Sequence, residues 1–563
     1  MSNKLNVVLY WHMHQPEYRD IRNGLYHQPW VYLHVIKDYV DMVAHLEDNV
    51  DARAVVNFAP ILLEQIADYA QQLTTYLELG AGLRDPILMA LAGPVIKKNP
   101  ENWQRLMKAC LRANDERMIK RFKHYDLLAT MARAALDDAA IISYYDEQYM
   151  ADLLVWYHLA WIGETVRRKD QRVQALIEKG RDFSLHDRHQ LLEIIYQLVA
   201  HVVARYRTLA ELGRVELSMT PYAHPIMPLL LDIESAHQAM PEAHLPIVRK
   251  YPDGEQRCHW QMQKGLEIFQ HYFGFTPAGC WPSEGSISAA TIRLLQQHGV
   301  RWLASGETVL RNSLQKSAIA ANHCIHQAYQ YADTSPYCFF RDDGLSDYIG
   351  FKYSAWHGDD AVANLSHHLA NIAQACADNP DAIVSIILDG ENAWEYYPEN
   401  GYYFLSALYK ELAEHEAIKL TTYSAYLAEH QHAMKLPELV AGSWVYGTFS
   451  TWIGSADKNR AWDMLADAKN FYDQVMQSGR LTDATRSKAE MQLAICEGSD
   501  WFWWFGDYNA AETVCAFDEQ FRMHLSNLYA LLGAEPPEYL SHAFSHGSGS
   551  PVAGGVMLPG KQQ

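Results

Sequence analysis

Two acids in this chain stand where chemistry is done. Glu284 lies in Gly-Cys-Trp-Pro-Ser-Glu-Gly (279–285), and Asp389 lies in Ile-Ile-Leu-Asp-Gly-Glu-Asn-Ala-Trp-Glu (386–395). Each ends an apolar run beside Gly and Trp, the setting in which an acid is presented at the mouth of a barrel of strands. A pair of carboxyls flanked by aromatic rings is the minimal kit for breaking a glycosidic bond. Pro282 stiffens the turn before Glu284, as a nucleophile held rigidly at an anomeric carbon requires. The competing reading, a turn or cap acid ahead of a helix from 288, leaves Trp-Pro unexplained. Asp389 follows Ile383–Leu388, a run apolar on both faces. Burial there raises a carboxyl pKa and keeps it protonated, as a general acid needs; a helix N-cap is the alternative.

Other polar motifs gather at strand ends. In Trp11-His12-Met13-His14-Gln15-Pro16, residues i and i+2 of a strand face one way, so His12 and His14 reach one site. They are read as two metal ligands completed by an acid, as hydrogen-bond donors to sugar hydroxyls, or as core histidines. Glu216 sits inside a strand-like run, where a buried acid needs a partner or a ligand. The Pro221-Tyr222-Ala223-His224-Pro225 segment is either a rigid turn or a binding element carrying His224. Glu391 and Trp394 follow Asp389 closely, placed to contact hydroxyls and stack on rings.

The elements that must position these residues alternate. Strands are expected at 6–10, 52–58, 214–219, 278–281, 300–304, 337–340 and 382–388, with helices such as 256–272, 288–298 and 360–378 between them. Alternation means βα units and a parallel sheet. Residues 61–212 are too long for one crossover and read as a helical insertion, broken near 99–102 and 185–187. The expected fold is α/β: a distorted (β/α)7 TIM-like barrel, with active residues at the C-terminal strand ends. A catalytic unit of 1–400 includes the insertion. A helical region over 401–540 completes the site with Trp444 and Trp452, and a flexible tail occupies 541–563.

Composition fits a large globular core: 563 residues, 49% hydrophobic. A net charge of -20 disfavours nucleic acid and anionic lipid as partners. Sixteen Trp and 34 Tyr supply flat apolar faces of the kind that suit sugar rings. The eight Cys are scattered without a Cys-x-x-Cys, so neither a zinc ribbon nor a disulfide framework is expected. A reducing cytoplasm is the expected compartment, and residues 5–10 are too short an apolar run for a signal peptide or a membrane span.

The chain resembles glycoside hydrolase family 57. Five motifs of that family's type follow in order: 11–16, 213–226, 279–284, 388–395 and the Trp444–Trp462 region. The resemblance implies a (β/α)7 barrel and a retaining mechanism on α-glucans that needs no metal or other cofactor. Glu284 would be the nucleophile and Asp389 the general acid/base, with the carboxyls about 5–6 Å apart. His12, His14, Glu216, Trp281, Glu391, Trp394, Trp444 and Trp452 would line the sugar site. Leu-Asp-Gly-Glu-Asn-Ala-Trp-Glu looks most like the amylopullulanase and α-amylase branch, which cleaves α-1,4 and often α-1,6 linkages, whereas Trp-Pro-Ser-Glu departs from that branch's Trp-Ala-Ala-Glu type. The rival readings are a 4-α-glucanotransferase or branching enzyme with the same site, a metal-dependent deacetylase or mannosidase-like enzyme using His12 and His14, and a non-catalytic glucan-binding protein.

Overall fold

The computed structural model describes residues 4–94, 98–319, 324–391 and 393–549. Its strands are β1 (Leu5–Met13), β2 (Ala54–Phe58), β3 (Val215–Met219), β4 (Gly279–Cys280), β5 (Trp302–Ser305), β6 (Tyr329–Tyr331), β7 (Tyr337–Phe340), β8 (Ile383–Asp389), β9 (Ile418–Leu420) and β10 (Met434–Leu436). The strands β8-β1-β2-β3-β4-β5-β7 are parallel neighbours in that order. A parallel bridge between Arg341 and Ser385 joins β7 back to β8 and closes the ring. These are the expected strands, and they form the expected (β/α)7 barrel. Three short strands, β6, β9 and β10, extend the sheet beyond it.

Side-chain alternation fills the ring. Val8 and Tyr10 of β1 point into the barrel, while Val7, Leu9, Trp11 and Met13 point out against the helices. The inner core joins Val55, Trp281, Trp302, Ala304, Phe339, Ile383 and Ile387. The helix Tyr423–Glu429 stops its lower end: Tyr423 stacks on Phe339 with ring centroids 4.1 Å apart.

Glu216 also faces inward, but at the wrong depth for a sugar-binding role. It is the second residue of β3, about 13 Å below the strand's exit at Thr220. Its carboxylate accepts hydrogen bonds from Trp302 Nε1 (2.7 Å) and from Ser424 N (2.8 Å) and Oγ (2.5 Å). The acid ties the barrel floor together, which corrects the sequence expectation. Glu216→Gln replaces one of the two acceptor oxygens with an NH2 that faces a donor, so it should cost roughly 1–3 kcal/mol in chemical denaturation. The kcat of the folded fraction should not change; a fall in kcat would return Glu216 to the site.

Residues 60–211 form the helical insertion. The breaks read from sequence are caps: Asn99 accepts from Asn102 N, and Ser184 forms a capping box with Asp187. The barrel continues past 401. The helix Tyr402–Glu414 packs on the helix Gly358–Ala375, β9 pairs with β1, and β10 pairs with β6. The predominantly helical region therefore starts after Leu436. The start of the expected tail is packed, not loose. Phe544 lies against Phe505 (4.9 Å), Ser545 donates to Asp457 (2.8 Å), and Gly549 bridges Ala510. Its remainder, 550–563, lies outside the described residues. No helix among the described residues is long and apolar enough to cross a membrane.

Candidate active site

One rung of the barrel carries four polar side chains. In register across the sheet, Asp389 pairs with His12, His12 with Asn57, and Asn57 with Ser218. Asp389 is the last residue of β8, so the pleat that points Ile383 and Ile387 inward also delivers the acid to the barrel mouth. The next residue must be small. Gly390 N donates to His12 O (2.7 Å), and a Cβ there would sit 2.1 Å from Met13 Sδ.

Glu284 enters from the turn after β4. It adopts the left-handed region (φ 59°), as does Gly285 (φ 57°). For a residue with a Cβ this costs roughly 1–2 kcal/mol, so neighbours must enforce it. Trp444 N donates to Glu284 O (3.0 Å), Ser305 Oγ donates to Gly285 O (2.5 Å), and Ile287 and Gly442 exchange backbone hydrogen bonds (2.9 and 3.1 Å). Trp444 Nε1 then donates to Glu284 Oε2 (3.0 Å), fixing the carboxyl itself.

The histidines form a directed chain. His12 Nδ1–H donates to Asn57 Oδ1 (2.7 Å), since Asn57 Nδ2 is engaged with Ser218 Oγ (3.1 Å). His12 Nε2 then accepts from His224 Nε2–H (3.2 Å), and His224 Nδ1 accepts from Ser499 Oγ–H (2.8 Å). Every link is satisfied by neutral imidazoles, and burial pushes both rings the same way: His12 down to about 3, His224 well below its ordinary value. His14 stacks on His224 (3.8 Å between centroids) and bonds Asp500 through Nε2 (2.9 and 3.0 Å).

The acids are electrostatically coupled. Burial raises Glu284 well above the carboxylate range, the Asp389 and Asp500 charges raise it further, and the Trp444 N–H partly offsets them. Burial, then Asp389, likewise raises Glu391, whose Oε1 accepts from His14 N, Gln15 Nε2 and Tyr39 OH. Buried polar atoms without a protein partner collect here: His14 Nδ1, Thr220 Oγ1, Ser283 Oγ and Glu391 Oε2. Such a lining suits a hydroxyl-rich ligand. Ligand atoms of His14, His224 and Asp500 lie within 4.8 Å of one another, close enough to share a metal ion; Asp500 and Ser499 already occupy the imidazole nitrogens His14 Nε2 and His224 Nδ1.

Of the sequence-predicted residues, Glu284, Asp389, His12, His14, His224, Glu391, Trp281 and Trp444 come together. Trp281 is wholly buried against Tyr10, His12 and Trp444, so it is floor and not an open stacking wall. Two tryptophans do not join them. Trp394 is buried against Trp11 and Phe404 and donates to Gly390 O (2.9 Å), bracing the Asp389 turn from behind. Trp452 is buried beside Trp503 and hydrogen-bonds Trp462 through its carbonyl. Sequence reasoning missed Asn57, Ser499, Asp500 and Arg341. The signal for Ser499 and Asp500 was Gly-Ser-Asp-Trp-Phe-Trp-Trp (498–504), a polar pair leading an aromatic run. Arg341 points inward, donates to Ile387 O (2.8 Å) and lies 5.6 Å from the Trp444 ring, its charge balanced by Asp343 and Asp347.

Trp444→Phe keeps the ring and removes the donor. A nucleophilic Glu284 would have to be ionised, and its raised pKa would put the acid limb of kcat/KM above the ordinary glutamate value of about 4.3. Losing an N–H that stabilises the charged form should move that limb to still higher pH. A limb unmoved in the pH profile would mean the contact does not act on Glu284.

A closed ring of parallel strands with paired acids at its C-terminal mouth is the architecture of barrel glycosidases. The chain matches the model of Glycosyl hydrolase family 57 over residues 8–437, and it belongs to that family. As such it is a glycoside hydrolase or glycosyl-transferring enzyme. Solved structures of similar fold include a GH57-type branching enzyme from Pyrococcus horikoshii (16% identity, 96% of this chain and 92% of that one, TM-score 0.57). They also include the α-amylase AmyC from Thermotoga maritima (12%, 94% and 93%, 0.56) and a 4-α-glucanotransferase from Thermococcus litoralis (12%, 93% and 60%, 0.50). No curated protein sequence matches.

Proposed function

We propose that the protein cleaves α-glucans by double displacement, hydrolysing α-1,4 linkages. Glu284 attacks the anomeric carbon as Asp389 gives its proton to the departing glycosidic oxygen. The β-linked glycosyl-enzyme then opens when Asp389 takes a proton from the incoming acceptor, whose oxygen displaces Glu284 with net retention. The observation that carries this reading is that Glu284 and Asp389 both stand at the barrel mouth, near enough for the Asp389 charge to add to the burial that raises the Glu284 carboxyl. The Trp444 hydrogen bond favours the ionised form at Glu284. A reducing cytoplasm suits the scattered cysteines.

Transfer to a sugar hydroxyl is the second reading, favoured by the enclosure of the site: the Glu284 side chain is only 13% exposed, and excluding water helps a sugar acceptor compete. Incubation with maltoheptaose, pullulan and glycogen, with products resolved by size and anomer, tests both. Short products released as the α-anomer support hydrolysis. Products longer than maltoheptaose mean transfer. No change in any of the three substrates would sink the glucan reading.

A further inference from the structure

Away from the mouth, the structure gathers two cysteines and a histidine from segments that the sequence keeps apart. Cys324 and His326 precede β6, and Cys376 caps the helix Gly358–Ala375 that leads into β8. One potential ligand atom from each lies within 4.8 Å of the others. The two Sγ atoms are 3.6 Å apart. Two thiolates bound tetrahedrally to zinc at about 2.3 Å stand about 3.8 Å apart, so the pair is already spaced as an edge of that tetrahedron. A covalent S–S bond would need about 2.05 Å.

The imidazole is oriented for the same purpose. His326 Nε2 bonds Asp342 Oδ2 at 2.9 Å, which leaves Nδ1 as the ligating nitrogen. A carboxylate behind a histidine is the usual outer partner of a zinc-bound imidazole, fixing its tautomer and raising its basicity. Asp342 is itself fixed, as N-cap of the short helix Asp343–Asp347 and by its backbone N–H to Ser385 O (2.8 Å).

We infer that Cys324, His326 and Cys376 bind one zinc ion, with solvent in the fourth position, and that this ion clamps the seam of the barrel. The seam between β7 and β8 is joined by the Arg341–Ser385 bridge, whereas β5 and β7 pair over four residues. The three ligands and Asp342 come from segments flanking that seam, and His326 O also accepts from Ile383 N, the first residue of β8 (3.1 Å). Binding displaces the two thiol protons and changes no oxidation state. The strand so held is the one that ends in Asp389.

The test is elemental analysis of the purified full chain after loading with zinc and dialysis against metal-free buffer, paired with a competition titration against a chromophoric chelator. About one zinc per chain is expected in the wild type and well under half in Cys376→Ser, which leaves the His14–His224–Asp500 cluster intact. Asp342→Asn keeps the cap and should weaken zinc roughly 10- to 100-fold. Cobalt loaded in place of zinc should give a thiolate charge-transfer band that Cys376→Ser lacks. Equal zinc retention by wild type and Cys376→Ser overturns the inference, as does a Cys324–Cys376 disulfide in a non-reducing peptide map of protein purified without oxidant. Should the variants fail to fold, the wild-type titration alone decides, because no stoichiometric zinc in it overturns the site.

Discussion

Glu284→Gln should abolish turnover of any glucan while leaving the fold intact, with kcat falling on the order of 10⁵-fold. The size follows from the role: a nucleophile that works as a unit with its acid/base partner takes almost the whole catalytic advantage with it when removed. Gln keeps the shape, the left-handed backbone and the main-chain bond to Trp444, so circular dichroism and melting should stay close to wild type. The smaller Glu284→Ala should leave a cavity on the face from which the carboxylate attacks. Added azide would enter there and displace an activated α-glycosyl fluoride, giving a β-glycosyl azide. Glucan turnover by Glu284→Gln within tenfold of wild type, or an α-azide from Glu284→Ala, would remove Glu284 from the nucleophile's place.

Asp389→Asn should separate substrates by their leaving groups. An unactivated glucan needs the proton and should lose about 10²–10⁴-fold in kcat/KM. A fluoride leaves without one, so formation of its glycosyl-enzyme should be nearly untouched and the second step should become limiting. Azide should then speed turnover and yield the α-product, opposite in anomer to the Glu284→Ala result. The basic limb of the pH profile should vanish as well, because the group whose deprotonation silences the acid is gone. Equal losses on glucan and fluoride would assign Asp389 a purely structural role.

The barrel was legible in the sequence because each of its seven strands is an apolar run with punctuation at its end. Period-two spacing also put His12 and His14 on one side of their strand. It did not tell depth. Glu216 and Asp389 both point into the barrel, but one lies at the floor and the other at the rim, and only the register between strands separates them. Trp394 and Trp452 illustrate a second limit: a tryptophan in a motif looks the same whether it meets ligand or, as here, neighbouring core. The three-residue strands β6, β9 and β10 carry too few residues for any period to show. Asp500 escaped because its partner His14 lies 486 residues away, and nothing local marks a contact made by tertiary folding. The Cys324–Cys376 proximity is hidden for the same reason, their 52-residue separation matching no compact ligand motif.

The directed chain from Ser499 through His224 and His12 to Asn57 has a consequence for how the protein can be divided. The family match ends at 437, yet Trp444, Ser499 and Asp500 lie beyond it, and each grips a residue inside it. A fragment cut near 437 would keep Glu284 and Asp389 but lose the Trp444 bond to Glu284 and the Ser499 and Asp500 bonds to His224 and His14, so expressing it as a minimal enzyme should fail. Calorimetry of the whole chain should accordingly show one endotherm and not two. In evolutionary terms the helical region is not a module free to be shuffled onto other barrels: barrel and helices have to change together.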